Sequence, residues 1–413
     1  MSQELAWNGV HALVRPAPVV ARDPDTAPAA ARAADIAVDY VTGARLAALA
    51  DDWRDLARRA DAANVFMHPA LLAEAAAAYP EREIAALAAF ANGRLAGLWG
   101  FAHSRAPQSP LPLSVLAAPP TPNAYLSAPL IDRDLLEPVC DAFLTFIAGD
   151  GDLPNIVALD AMGTDTATFA ALERVLAARG GAMHIFSRTQ RPKLASNLDA
   201  KAYFEQAMSA SSRKKLRQHR RRLAEKGALA SIVITEPQAV ARAFEDFLAL
   251  EASGWKGRQG TALSSDAADA QYTRAMIAAL AAQGDAEIHS LTLDGRPVSM
   301  QVLLRAGRTA FTWKTAYDEA LHDFSPGTLL FEDYTAHLLA DENVEAVDSC
   351  SFDDSGYMGS WQERGEIATL WFDARARRSM MFVLLARLQG AYLALRARAK
   401  ALYRTHVRKT GRT

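Results

Sequence analysis

Glu287-Ile288-His289-Ser290-Leu291-Thr292-Leu293 reads as a strand, and Asp294-Gly295 after it suits a tight hairpin turn. Val298, Met300, Val302 and Leu304 then alternate with Ser299 and Gln301, which predicts a second strand with one apolar face. A third run, Thr309 to Thr315, sets Phe311 and Trp313 on one face and Thr312 and Lys314 on the other. A polar loop leads to Ser325-Pro326-Gly327-Thr328, after which Leu329, Leu330, Tyr334 and Leu338 fall at helical spacing. The stretch is a sheet feeding a helix whose first turn is open. Pro326 suits the first helical position because its missing N–H is not needed there. Gly327 lets a ligand approach the backbone, and the N–H groups near Gly327, Thr328 and Leu329 suit a phosphate or pyrophosphate. A plain helix cap is the alternative that the tetrapeptide alone allows.

The order and spacing of several segments give this stretch a context. Trp313-Lys314-Thr315-Ala316-Tyr317-Asp318, then Ser325-Pro326-Gly327-Thr328-Leu329-Leu330, then Val347-Asp348-Ser349-Cys350 and Trp361 resemble the GNAT-type acyl-CoA N-acyltransferase superfamily. Within it the resemblance is to the CelD/BcsL-like branch, which is related to the Fem peptidyltransferases. It covers residues 200–372 and, less closely, the preceding half. It implies that Ser325, Pro326, Gly327, Thr328 and Leu329 hold the pantetheine and pyrophosphate of an acyl-CoA donor, acetyl-CoA above all. The fold expected is α/β (α+β): tandem GNAT-like domains, each a mixed, mostly antiparallel sheet flanked by helices, followed by a C-terminal basic helix.

The earlier half carries an echo of the opening stretch. Glu83-Ile84 through Phe90, then Asn92-Gly93-Arg94 and a second run to Phe101, parallels Glu287-Ile288, Asp294-Gly295-Arg296 and the strand after it. We read an internal duplication, with chance likeness of two hairpins as the alternative. No counterpart of Ser325-Pro326-Gly327 follows the first hairpin; the prolines between 107 and 122 lead into a loop-rich insertion instead. The first copy is therefore expected to shape an acceptor cleft and not to bind the donor. The expected organisation is a mobile Ala/Pro-rich leader at 1–32, a degenerate domain at 33–195, a catalytic domain at 196–375 and a basic helical tail at 376–413.

The 413 residues carry a net charge of −2, so no global pull toward nucleic acid or membrane exists. Half the residues are hydrophobic, enough for large cores. Cys140 and Cys350 lie far apart and form neither a metal-spacing motif nor a disulfide framework, which fits a reducing cytoplasm. There is no metal-spaced His/Cys set, Walker motif or serine-hydrolase elbow, so no metal is expected.

Two basic segments stand out against the neutral average. Arg213-Lys214-Lys215-Leu216-Arg217-Gln218-His219-Arg220-Arg221-Arg222 follows a serine-rich cap and reads as a helix with cations all around it. It is a solvated helix or a site of attraction for phosphate or nucleic acid; Fem enzymes carry a basic helix here, so nucleic acid becomes a partner only if the chain is Fem-like. Beyond Asp373 the tail has no acidic residue. It reads as a basic helix that either packs on its own domain or is drawn to an anionic membrane surface or an acidic partner.

Acyl transfer from a thioester to an amine needs a polarised carbonyl, a neutral amine and a proton for the leaving thiol. Glu251 and Asp348 are the candidate bases, each close to a family-matching segment, with a salt bridge or cap as the alternative for either. His322 beside the donor loop is the candidate shuttle. The resemblance also places Trp255, Lys256, Gly257, Lys314, Tyr317 and Trp361 at the substrate. Where the family commonly has a Lys a few residues before this Trp, the chain has Met358 and Gly359. The expected activity is transfer from acyl-CoA to a small-molecule or glycan amine, such as an amino sugar in polysaccharide or cell-envelope synthesis. The alternatives are Fem-like transfer from aminoacyl-tRNA and a non-catalytic binding subunit of a polysaccharide-synthesis complex.

Overall fold

The Asn92-Gly93 and Asp294-Gly295 turns have the same backbone: φ is 51° at Asn92 and Asp294, and 78° at Gly93 and Gly295. Positive φ at both central residues gives the turn the twist of the strands it joins. The first turn links β2 (Ile84–Ala91) to β3 (Arg94–Arg105), and the second links β9 (Ala286–Leu293) to β10 (Arg296–Ala306). The computed structural model describes residues 35–352, 356–377 and 379–410; the leader expected at 1–32 lies outside the described residues.

Each hairpin is the centre of the same strand pattern. In the first half β1 (Ile36–Val41) pairs antiparallel with β2, β3 with β4 (Ser114–Ala117), and β4 runs parallel to β6 (Ile156–Gly163). Two-residue β5 (Leu130–Ile131) pairs with β3 off this path. In the second half β8 (Leu229–Ile234) pairs antiparallel with β9, β10 with β11 (Thr309–Tyr317), and β11 runs parallel to β12 (Ala346–Asp348). The repeated pairing, including one parallel step in the same place, is a duplication at the level of topology.

The two patterns are joined edge to edge. β7 (Met183–Leu194) pairs with β12, and β13 (Glu363–Asp373) lies between β6 and β7. The order is β1-β2-β3-β4-β6-β13-β7-β12-β11-β10-β9-β8, one sheet of mostly antiparallel neighbours rather than two standing apart. β13, from the second half by number, thus completes the first half's sheet. Helices cover the faces. Leu329, Leu330, Phe331 and Tyr334 of the helix Pro326–Ala340 pack with Leu303, Val347 and Trp361 in one core. A second core forms where Phe382 and Ala386 of the tail helix Met380–Thr410 meet Val115, Ile156 and Trp371.

Candidate functional site

The parallel partner β12 is short, and this opens the site. β10 pairs with β11 along nearly its whole length, but β12 pairs only with Thr309–Phe311. From Thr312 onward β11 has an edge without a strand partner among the described residues. Successive peptide groups alternate between the two edges. Lys314 O faces β10 and accepts from Gln301 Nε2 at 3.0 Å, whereas Thr315 O faces the open side and accepts from Lys256 Nζ at 3.0 Å.

A cleft of about 330 Å³ lies along that edge. One wall is Leu250, Glu251, Gly254, Trp255 and Lys256, from the end of the helix Pro237–Ser253 and the turn after it. The other wall is the 3-10 turn Glu319–Phe324 and the start of the helix Pro326–Ala340, with Tyr357 alongside. Glu319 ties the walls together: its Oε1 accepts from Trp255 N at 2.5 Å and its Oε2 from Arg258 Nη2 at 2.6 Å. Gly257 is fixed by packing, because a Cβ there would lie 1.8 Å from Ala252 O.

At the head of the helix, Ser325 adopts φ 50° and ψ 53°, and Pro326 takes the first helical position. Thr328 N and Leu329 N both turn back to Ser325 O, at 2.9 and 3.1 Å. The expectation of three available N–H groups is therefore corrected: two are engaged in closing the first turn, and Gly327 N–H is the one outside that closure. A Cβ on Gly327 would meet only Tyr317 Cδ1, at 3.8 Å, so the protein's own packing does not require glycine here.

Glu251 is the electrostatic centre of the opposite wall. Its Oε1 lies 3.0 Å from both Lys256 Nζ and Lys314 Nζ, and its Oε2 accepts from Leu263 N at 2.8 Å. Burial pushes the Glu251 carboxyl up, but the Lys314 and Lys256 ammoniums and the Leu263 N–H outweigh it, and the group lies below the usual carboxylate range. Burial and the neighbouring Lys256 ammonium hold Lys314 below the usual lysine range despite Glu251. A carboxylate so well neutralised is a weak base. It binds the Thr261-Ala262-Leu263 loop, the Trp255–Lys256 turn and β11 to one another.

Of the residues singled out in the sequence, Glu251, Trp255, Lys256, Tyr317, His322, Ser325, Pro326, Gly327 and Thr328 meet at this cleft. Lys314 lies behind it on Glu251, and His322 stands exposed at its edge, its Nε2 3.2 Å from Asp323 Oδ1. Four more do not line it. Gly257 supports the turn, and Leu329 is fully buried in the core. Trp361 is also fully buried, donating from Nε1 to Thr335 Oγ1 at 3.1 Å and packing on Phe331. Asp348 faces the junction of the halves: Oδ1 accepts from Arg191 Nη1 at 3.2 Å and from Cys350 N at 2.7 Å. Arg191 is itself fully buried and also donates to Tyr125 O and Ser351 O. The geometry makes Asp348 the partner of a buried cation, not a base, and Trp361 a core residue, not a substrate contact.

Sequence reasoning missed Glu319 and Tyr357. Glu319 carried a usable signal, an acid just ahead of a Ser-Pro-Gly turn. It also missed Glu287, His289 and His337, whose ligand atoms lie within 4.8 Å of one another. Arg305 Nη2 contacts both Glu287 oxygens, at 3.1 and 3.0 Å, and His289 Nε2 lies 3.0 Å from Oε1, which makes this group a hydrogen-bonded network.

Residues 210–357, which include both cleft walls, match the family described as Acetyltransferase (GNAT) domain. This stretch is similar to a GNAT domain. The match spans the basic helix through Tyr357 and stops short of β13. The fold of the whole chain is similar to that of FemX, with 12% identity, 81% of this chain and 96% of that chain covered, and a TM-score of 0.53. It is also similar to the C-terminal domain of a protein from Agrobacterium fabrum assigned as a lysylphosphatidylglycerol synthetase, at 14% identity, 84% and 97% coverage and a TM-score of 0.51. A conserved protein of unknown function from Bacteroides thetaiotaomicron gives 15% identity, 82% and 99% coverage and a TM-score of 0.52. At these identities the likeness is one of fold. No curated protein sequence matches the chain.

Proposed function

We propose that the chain is an N-acyltransferase of the CelD/BcsL-like kind, moving an acyl group from acyl-CoA, acetyl-CoA above all, to an amine on a small molecule or glycan. The observation that carries the reading is the cleft itself: an open β11 edge running to the start of a helix headed by Ser325-Pro326-Gly327. Pantetheine would lie along the strand edge, and the pyrophosphate over Gly327. An N–H on the open edge would polarise the thioester carbonyl. The amine nitrogen attacks the carbonyl carbon, the C–S bond breaks, the amine loses a proton and the thiolate gains one. Glu251, held as a carboxylate by two ammoniums, supplies negative charge beside the incoming amine and little driving force for taking its proton. The acceptor must then arrive largely neutral. His322, at the cleft edge, is the group we assign to proton exchange with the thiol. Residues 196–375 form the catalytic half in this reading and residues 33–195 shape the acceptor side, in a cytoplasmic polysaccharide or envelope pathway.

The test is release of free thiol from acetyl-CoA over a panel of amines. Release that depends on an amine supports the reading; none, with a folded protein and intact CoA binding, leaves the binding-subunit alternative in its place. A second reading, Fem-like transfer from aminoacyl-tRNA, has one observation of its own. Arg222 and Lys226 stack on Phe324, next to Ser325, and Lys214, Lys215, Arg217 and Arg221 of the same segment are exposed. Transfer that requires charged tRNA and ignores acetyl-CoA would select it.

A further inference from the structure

Among its described side chains, which end at Lys400, the tail helix Met380–Thr410 has two apolar faces, and one of them is covered. On the inner face Phe382, Ala386 and Gln389 are almost completely buried against the first half of the sheet. Met381, Leu384, Leu388 and Leu395, separated by three, four and seven residues, form a stripe on the other side. They are 63%, 52%, 49% and 67% exposed, and Met380 before them is 74% exposed. A surface stripe of this size needs a partner. The charge around it says which kind. From Ala374 to the end of the sequence there is no Asp or Glu, and by helical spacing Arg387 and Arg398 flank the stripe.

We propose that this face lies in the interface of an anionic lipid bilayer. The apolar stripe would enter the headgroup–acyl boundary and the arginines would meet the lipid phosphates. The segment Met380–Lys400 is long and apolar enough to cross a membrane by length and composition. Its inner face, however, is packed on the sheet, and Arg387 and Arg396 fall within the segment. The geometry therefore fits a helix lying on a bilayer and not one crossing it. A second copy of this chain would set like charges against each other along the same stripe, which disfavours it as the occupant. A membrane-bound protein would present its cleft to acceptors made at that surface, but the proposal stands on the helix alone and does not depend on the chemistry of the cleft.

Vesicle co-sedimentation of the full chain tests it, using phosphatidylcholine vesicles with and without one-third phosphatidylglycerol. Binding to the anionic vesicles is expected, reduced by added salt and weak on phosphatidylcholine alone. Leu384→Glu with Leu388→Glu should lower partitioning at least about tenfold while leaving the melting temperature unchanged, because both side chains are exposed. Arg387→Gln with Arg398→Gln should remove most of the preference for the anionic vesicles. Failure of the parent chain to bind, or equal binding by the two-glutamate variant, overturns the proposal. So does a dimer in sedimentation equilibrium that the glutamates dissociate while the parent leaves vesicles untouched.

Discussion

Glu251 and Gly327 face each other across the cleft and make opposite demands on a substitution. Glu251→Gln leaves Lys314, nearly buried, and Lys256, partly buried, without their shared counter-charge. Breaking a buried pair on one side costs about 3–5 kcal/mol; the partial exposure of Lys256 puts the expectation near the lower end, read as the change in urea unfolding midpoint. The pH dependence has a defined sign. Glu251 in the folded protein lies below the ordinary carboxylate value, so it contributes stability above an unfolded value of about 4.3 and loses it as pH falls through the folded value. The parent should therefore lose stability on acidification more steeply than the Gln variant. Activity should behave differently. Because Glu251 is a weak base, kcat/KM should rise with pH toward the pKa of the acceptor amine, and the Gln variant should keep that slope at a lower rate. A limb at mildly acid pH that Glu251→Gln abolishes would instead make this carboxylate the base. Lys314, also lowered, gives a slope of the same sign in a more alkaline window: between its folded value and the ordinary lysine value the unfolded chain binds more protons, and stability rises with pH there.

At the scale of elements, the hairpins were legible because their cause is local. Asn92-Gly93 and Asp294-Gly295 carry positive φ at both positions, and those residue types tolerate it. The loop before the helix was legible for the same reason: Ser325-Pro326-Gly327 fixes the start of a helix, and that helix head does line the cleft. Asp348 and Trp361 were not legible. What buries Asp348 is Arg191, 157 residues earlier, and what buries Trp361 is the face of the helix bearing Phe331 and Thr335. Asp348→Asn tests this directly. It should destabilise the protein by about 3 kcal/mol, because Arg191 keeps a buried charge with its ionic partner gone. The rate per folded molecule should stay within about twofold of the parent, a difference of about 0.4 kcal/mol. A large loss of rate with unchanged stability would return Asp348 to the chemistry.

For the whole molecule, the decisive feature is β13. It pairs with β6 on one side and β7 on the other, so a cut at the expected boundary between 195 and 196 removes the strand that fills the first half's sheet. Residues 33–195 expressed alone should expose one edge of β6 and both edges of β7, which loses β12 as well as β13, and aggregate. Soluble, folded 33–195 would show that the first half is self-sufficient. No sequence pattern announced this crossing, because a strand's neighbours are chosen by topology and not by its own residues. The duplication itself was visible only through the hairpins; the matching parallel steps, β4 with β6 and β11 with β12, emerged from the fold.

In the proposed function the open β11 edge and the head of the helix Pro326–Ala340 form the donor site. Calorimetric titration of CoA into the parent chain and Gly327→Val tests it most directly. A Cβ at Gly327 meets only Tyr317, at 3.8 Å, so the variant should fold. CoA should bind the parent, and the variant should bind it at least about tenfold more weakly, about 1.4 kcal/mol. Equal binding by a folded Gly327→Val would show that this helix end is a cap and that the donor lies elsewhere.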